Sequence, residues 1–409
     1  MFWSLPTANL RKLNKHAIID LIRFTPGGIS RVELARQMGL TRAAITGIVD
    51  DLLSTGLVRE TQGHYPNGRK PIVLEINPTR GRVVGVDMGA SHLNLILADF
   101  SAREIAEAGY RLDINRGPGV CLAHVDEQIR NFLQKNNSVL SDVSAVGVGV
   151  PGPIVAEAGM VSGPPIMPGW DGYPIRDHLQ AAWGCPVTLN NDAELGAVGE
   201  WAYGAGRGEQ NLAYIKVGTG VGAGLLINGQ LYSGSTGSAG EIGHITIDEN
   251  GPVCTCGNRG CLEAFAGGAA IARKAIESVR RGQRTQMVEF ATQEDFSAST
   301  VMMAARRGDL VAQRIVADAG GHLGTAIASM VNLFNPGMVI IGGSISQIGD
   351  LLLEPIRAAV LKRSLEPASR AVRISAALLG RRSCAMGAVV QAISIALHRM
   401  IDERETVKI

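Results

Sequence analysis

The chain has 409 residues, of which 46% are hydrophobic and 4% aromatic, with 51 glycines, six cysteines and a formal net charge of +2. That length sets an expectation of two or three domains, and a composition rich in glycine and poor in aromatics suits an α/β protein with many tight strand–turn junctions. No run reads as long and apolar enough to span a membrane, and residues 1–6 lack the charged leader and apolar core of a signal peptide. A cytoplasmic protein with reduced thiols is therefore expected.

The charge is unevenly placed. Residues 1–82 hold 12 Lys+Arg against 6 Asp+Glu, and the remainder holds 27 against 31. A basic head on a mildly acidic body suggests that the head meets a polyanion. Residues 14–24 carry Ala17, Ile18, Leu21 and Ile22 at helical spacing and stop at Thr25-Pro26-Gly27-Gly28. Ser30-x-x-Glu33 is a capping box for a short second helix that Gly39 ends. Thr41 can cap a third helix, which runs to about residue 55 before Gly56. Ile45, Ile48, Val49 and Leu52 form its apolar face, and Ala43, Thr46, Gly47 and Asp50 form a small, nearly flat opposite face. Glycine inside a helix costs about 1 kcal/mol relative to alanine, so Gly47 reads as a place where something approaches closely.

This is the layout of a helix-turn-helix with a recognition helix for the major groove. Ser30, Arg31, Thr41, Arg42, Ala43, Thr46 and Gly47 are its candidate DNA contacts. Strands over residues 57–61 and 72–76 flank a basic turn, so that Arg69 and Lys70 would touch phosphates or the minor groove as a wing. Residues 1–78 thus read as a winged helix-turn-helix DNA-binding domain, bounded by Asn77-Pro78. The alternative is a three-helix protein-interaction module, which would lack the basic wing. On the DNA reading, Arg69→Ala weakens binding to every DNA sequence and flattens its salt dependence; an unchanged slope in a salt titration would remove Arg69 from the interface.

Beyond the head, residues 82–100 read as strand, turn, strand, with Asp87-Met88-Gly89-Ala90-Ser91 at the turn. A third strand is expected near 108–114, a helix near 119–134, and a buried strand over 143–150 that ends in Pro151-Gly152-Pro153. Asn191-Asp192 follows a strand at 187–189, where such a pair is common as a plain turn. The opening recurs after residue 210: a strand over 212–217, a glycine turn from Gly218-Thr219-Gly220 to Gly224, and a return over 225–227 to the hairpin dipeptide Asn228-Gly229. A third strand end, after 339–341, carries Gly342-Gly343. Two lobes that open alike could present two backbone nests to one polyphosphate. Long helices at 310–334 and 385–400 read as core or oligomer contacts.

Between these elements lie Glu241-x-x-His244, Cys254-x-Cys256 and Cys261-Leu262-Glu263. Three thiols and an imidazole (His244, Cys254, Cys256 and Cys261) are the ligand set of a closed structural zinc site. Cys254 and Cys256 are too close in sequence to bridge each other comfortably. Glu241 and Glu263 bracket the set, so a metal clip here would fix two carboxylates and a histidine as a polar pocket.

The winged head together with this body resembles the DNA-binding branch of the ROK family (repressors, open reading frames and sugar kinases). The likeness covers nearly the whole chain, and the E-I-G-H and C-x-C-G-x-x-G-C-L-E motifs are its most specific marks. It implies an α/β fold in which the winged helix-turn-helix is followed, over 79–409, by a two-lobed actin-like, ribonuclease-H-like sugar-kinase fold. The first lobe would take about 79–200 plus the C-terminal helix, and the second about 201–384. The resemblance also implies a sugar site of Gly152, Asn191, Asp192, Glu241, His244 and Glu263. Asp192 stands where the kinases keep their catalytic general base, and His244 would serve metal and sugar at once. It implies an ATP cleft of Asp87, Gly89, Ser91, Gly218, Thr219, Gly220, Gly342 and Gly343.

Carboxylates and amides do recognise vicinal hydroxyls by paired hydrogen bonds, and an aspartate can take a hydroxyl proton for attack on a phosphoryl group. The kinases' first phosphate loop resembles D-x-G-G-T, however. Here Ala90 adds a methyl where bare backbone would approach phosphate, and the ATP cleft is expected to be vestigial. The resemblance therefore implies a sugar-responsive repressor of carbohydrate-utilisation genes, binding an inverted-repeat operator as a homodimer or dimer of dimers. Pocket carboxylates do not tell xylose from glucose or an N-acetyl sugar. An ATP-dependent sugar kinase that carries a DNA-binding head, and a regulator whose input is a partner protein, are the alternatives.

Overall fold

Residues 143–150, VSAVGVGV, contain one polar position, a pattern a strand carries only when both faces are covered. The computed structural model, which describes residues 7–63, 71–164, 166–291 and 296–406, places this strand inside the first of two similar sheets. The head comes before it: α1 (Thr7–Phe24), α2 (Arg31–Met38), α3 (Arg42–Ser54) and the antiparallel pair β1 (Val58–Gln62) and β2 (Ile72–Ile76). The Ser30–Glu33 capping box, the left-handed Gly39 and the Thr41 cap on the Ala44 N–H are all formed. The hairpin tip, with Arg69 and Lys70, lies outside the described residues.

The first lobe contains β3 (Arg82–Met88), β4 (His92–Asp99), β5 (Glu104–Arg111), α4 (Pro118–Lys135), β6 (Val143–Val150), a small hairpin of β7 (Ile154–Val155) and β8 (Met160–Val161), α5 (Ile175–Trp183), β9 (Val187–Asn191) and α6 (Asp192–Tyr203). The second opens with β10 (Leu212–Val217), β11 (Val221–Ile227) and β12 (Gln230–Leu231). Helices α7 (Glu263–Ala266), α8 (Gly268–Arg280), α9 (Met287–Phe290), α10 (Ala298–Arg306) and α11 (Leu310–Phe334) then lead to β13 (Met338–Gly342), α12 (Asp350–Arg363), α13 (Glu366–Ala371) and β14 (Arg373–Ala376). The last helix, α14 (Ser383–Thr406), returns to the first lobe.

The sheet orders are β5-β4-β3-β6-β9 and β12-β11-β10-β13-β14. In each, the first three strands in sequence pair antiparallel, and the first, fourth and fifth pair parallel. The same topology thus occurs twice, as the ribonuclease-H-like, actin-like expectation requires. Strand β5 lies four residues earlier than the sequence pattern placed it. It is an edge strand with alternate residues exposed, so its apolar signal is weak.

Helix α14 holds head and body together. It lies directly on β3 and β6, where Gly85 and Gly147 are strand residues whose Cβ, if present, would collide with the carbonyl oxygens of Ala385 and Ala388. Its other side meets α6 and α1. Ile18, Ile19 and Ile22 of α1, Ile45 and Leu52 of α3, and Val389, Ile393 and Leu397 of α14 belong to one continuous apolar cluster. Polar contacts surround it. The His16 and His398 rings stack at 4.1 Å, His16 Nε2 lies 3.0 Å from Asp402 Oδ1, and His398 Nε2 lies 3.2 Å from Asp20 Oδ2. Arg23 donates to the Val390 carbonyl and to Ser394 Oγ, both at 2.6 Å.

This helix corrects one sequence expectation. The segment Gly380–Glu403 is long and apolar enough to cross a membrane, but 67% of its most apolar stretch is buried inside the protein. Its apolar surface is covered by β3, β6, α6 and α1. Glu200, fully buried, anchors its start: the carboxylate accepts from the N–H groups of Ala205, Leu378 and Leu379 and from Ser383 Oγ. An acid is tolerated there because several donors replace its water.

Gly147→Val forces α14 off the sheet. The expected loss is at least the ~1–3 kcal/mol of an overpacked core, read as a lowered denaturation midpoint; an unchanged midpoint would show that the helix does not rest there.

Candidate functional site

The C-terminal ends of β3, β6 and β9 face the β10–β11 turn and the end of β13 across a cleft of about 320 Å³. Side-chain alternation decides what enters it. On β10, Ala213, Ile215 and Val217 point into the second-lobe core, while Leu212 and Tyr214 pack toward α6. Lys216 shares the face of Tyr214 and emerges at the cleft. Glycines stand beside it on both neighbouring strands, Gly222 on β11 and Gly342 on β13, which leaves room for its stem.

Lys216 was not singled out from the sequence, and it organises the electrostatics of the cleft. Its Nζ donates to Asp192 Oδ2 at 2.7 Å and lies 3.8 Å from Asp87 Oδ1. The three side chains are only 16%, 13% and 3% exposed. Burial opposes charge on Lys216, but Asp192 and then Asp87 more than offset it and raise its pKa well above the ordinary lysine range. Burial likewise disfavours the charged Asp87, yet Lys216 and His92 hold its pKa well below the usual carboxylate range. His92 Nε2 and Asn94 Nδ2 each lie 3.0 Å from Asp87 Oδ2, while Asp87 Oδ1 is buried with no hydrogen-bond partner among the described residues. The signal in the sequence was a lysine inside the otherwise apolar strand LAYIKV, two residues before the glycine turn.

Asn191 and Asp192 sit at the β9–α6 junction, and their roles differ. Asn191 is the helix cap: its Oδ1 accepts from the N–H groups of Ala193 and Glu194 at 2.8 and 3.2 Å, and its amide donates to the Gly152 carbonyl at 3.0 Å. Asp192 begins the helix and reaches into the cleft. Across from it are Glu241, His244 and Glu263. Glu263 accepts from the Val221 N–H at 3.0 Å, which ties it to the glycine turn. Burial, together with Asp192, Glu263 and Glu194, raises the Glu241 pKa against the opposing pull of His244. A carboxyl so placed gains from hydrogen bonds to hydroxyl donors.

His244 has one nitrogen on each side. Nε2 lies 4.0 Å from Glu241 Oε2, and Nδ1 lies 3.7 Å from Cys254 Sγ. Cys256 and Cys261 approach each other at 3.7 Å. The ligand atoms of His244, Cys254, Cys256 and Cys261 all lie within 4.8 Å of one another, so this set could hold a metal ion. Burial and the neighbouring sulfurs push the Cys261 thiol up to about 12. All six cysteines are free of disulfides.

Of the residues expected to form a phosphate cleft, Asp87, Ser91, Gly218, Thr219, Gly220 and Gly343 line the cavity. Gly89 and Gly342 do not. The His92 ring lies over Gly89, and the Tyr214 ring lies against Gly342. In the head, Thr41, the cap of α3, and Arg42, Ala43, Thr46 and Gly47 on it are exposed. Arg31 is engaged within the head, in a surface ion-pair cluster with its guanidinium on Asp50 at 2.8 Å and Glu60 at 2.9 Å. The Ser30 hydroxyl serves the capping box.

A family model described as the ROK family matches residues 83–394, and the chain belongs to that family. Among its relatives is a protein named xylose repressor from Caldicellulosiruptor bescii, 31% identical over 386 residues, covering 94% of this chain and 96% of that one. Among solved structures, a ROK family transcriptional regulator, a homologue of the Escherichia coli MLC protein, superposes with a TM-score of 0.80 at 27% identity, covering 96% of this chain and 98% of that one. A ROK family glucokinase from Streptomyces griseus, in complex with glucose and AMPPNP, superposes with a TM-score of 0.69 at 28% identity, covering 76% of this chain and 99% of that one.

The clip predicts one metal ion per chain. Cys256→Ala should reduce metal content to near zero by elemental analysis and lower the thermal midpoint; a full equivalent retained in the variant would remove Cys256 from the ligand set.

Proposed function

We propose that the chain is a sugar-responsive transcriptional repressor. The α3 face binds operator DNA, and a sugar in the cleft releases it. One observation carries the reading: a single helix lines the cleft near one end and holds the head near the other. Cys384, at the start of α14, lines the cleft, while His398 and Asp402, near its other end, hold α1 of the head. From Cys384 to Asp402 the helix spans about 27 Å at 1.5 Å per residue. A rigid element of this length can carry a change in lobe angle to the DNA-binding head.

The sugar would be held by Asp192, Glu241, His244 and Glu263, with Asn191 positioning the Gly152 backbone. The clip is read as a structural zinc site. A zinc tetrahedron with ordinary bond lengths has S–S edges of about 3.8 Å and S–N edges of about 3.6 Å, and the Cys256–Cys261 and Cys254–His244 separations, both 3.7 Å, support it. Zinc would hold His244 through Nδ1 and leave Nε2 for a sugar hydroxyl. We read the working state as a cytoplasmic dimer on an inverted-repeat operator. The relative named xylose repressor makes xylose the first sugar to test.

The test is binding to the protein's own upstream DNA at fixed salt, without ATP, against a panel of aldoses and amino sugars. One sugar should lower operator affinity by about 5- to 150-fold, and Glu241→Gln should remove the response. Linkage requires the DNA to weaken sugar binding by the same factor. DNA binding that no sugar alters would sink the reading. The likeness to a glucokinase favours a sugar kinase as the second reading, for which sugar-dependent ADP release, lost in Asp192→Asn, is the diagnostic.

A further inference from the structure

The cleft has an acid pair, Asp87 and Asp192, at the carboxyl ends of β3 and β9, the two parallel strands that flank β6. In a site that brings a nucleoside triphosphate to an aspartate base, a divalent cation has to neutralise phosphate and carboxylate together. Here that space is already taken by a charge belonging to the chain. The Lys216 ammonium donates to Asp192 at 2.7 Å and stands 3.8 Å from Asp87. His92 and Asn94 cover the other oxygen of Asp87, and the His92 ring lies over the first glycine turn. The remaining oxygen, Asp87 Oδ1, is buried, without a hydrogen-bond partner among the described residues, and 3.8 Å from the lysine.

We propose that Lys216 is the specificity-determining residue of the cleft: it substitutes for the divalent cation, so that the acid pair serves as fixed hydrogen-bond acceptors for a neutral ligand and not as the seat of a metal–nucleotide complex. Two physical effects follow. A dication brought beside a buried ammonium is repelled where screening by water is weak. Asp192, already accepting a charge-assisted hydrogen bond, is a well-oriented partner for a hydroxyl. Lys216 acts through the carboxylates and is a positioning residue. The magnesium–nucleotide complex that the kinase resemblance would bring does not fit these side chains.

Removing the lysine leaves two buried carboxylates with an open oxygen, a donor set suited to a hard dication such as Mg²⁺ or Mn²⁺. The experiment titrates Mn²⁺ into the full-length protein and reads free Mn²⁺ by its electron paramagnetic resonance signal. Wild type should leave the signal unchanged. Lys216→Ala should remove one equivalent per chain, and Lys216→Ala combined with Asp87→Asn should remove none. The thiolate clip is common to all three and cancels. If Lys216→Ala does not fold, Lys216→Gln, which keeps a donor against Asp192, is read in the same way. One equivalent bound by wild type and lost in Asp87→Asn would overturn the proposal, as would no uptake by the lysine variants. The proposal rests on reading the cleft as a ligand site. Its test uses neither sugar nor DNA, so its failure is separable from failure of the repressor reading.

Discussion

The contact of α14 with the glycine floor of the first sheet is the constraint on which the rest of the molecule depends. Because Gly85 and Gly147 carry no side chain, the helix backbone lies on β3 and β6. The side chains of α14 are thereby left for α6 on one flank and α1 on the other. One helix then completes the first-lobe core, closes one wall of the cleft through Cys384 and carries the head. The head's three helices and hairpin bury much of their apolar surface against themselves, but the cluster does not end at residue 78. It runs through Ile393 and Leu397, so the junction is a packed interface and not a linker.

The cleft is the second consequence of the duplicated topology. In both sheets the central parallel strands end on the same side, and the turns at those ends face one another. What fills the space is electrostatic. Carboxylates come from β3, from the start of α6, from the turn before His244 and from α7. Four acids so enclosed repel; Lys216 stands against them on the Asp87–Asp192 side, and His244 Nε2 lies 4.0 Å from Glu241 on the other.

The head shows how far local rules reach. Helix caps at Ser30 and Thr41 and the left-handed Gly39 depend on residues within four positions of one another, and all were legible. The flat face of α3 was legible too, since it follows from helical periodicity. Arg31 was not. Its partners, Asp50 and Glu60, are 19 and 29 residues away, and only the fold brings them to it. Edge strand β5 was placed late for a related reason, because half its residues face water and its apolar signal is thin.

The sequence by itself determined the helices and hairpin of the head, the repeat of the strand–glycine turn–strand opening, the His244–Cys254–Cys256–Cys261 cluster that could hold a metal and the acids that accompany it. These are encoded in short-range spacing and in residue types with few other uses. Tertiary structure alone decided that Asn191 is spent on capping α6 and on the Gly152 carbonyl, that Lys216 neutralises Asp87 and Asp192, and that an apolar helix fit for a membrane is a buried strut between cleft and head. Those outcomes depend on charges and surfaces that meet across tens to hundreds of residues, and the free energy of a buried charge or an apolar face is set by what encloses it.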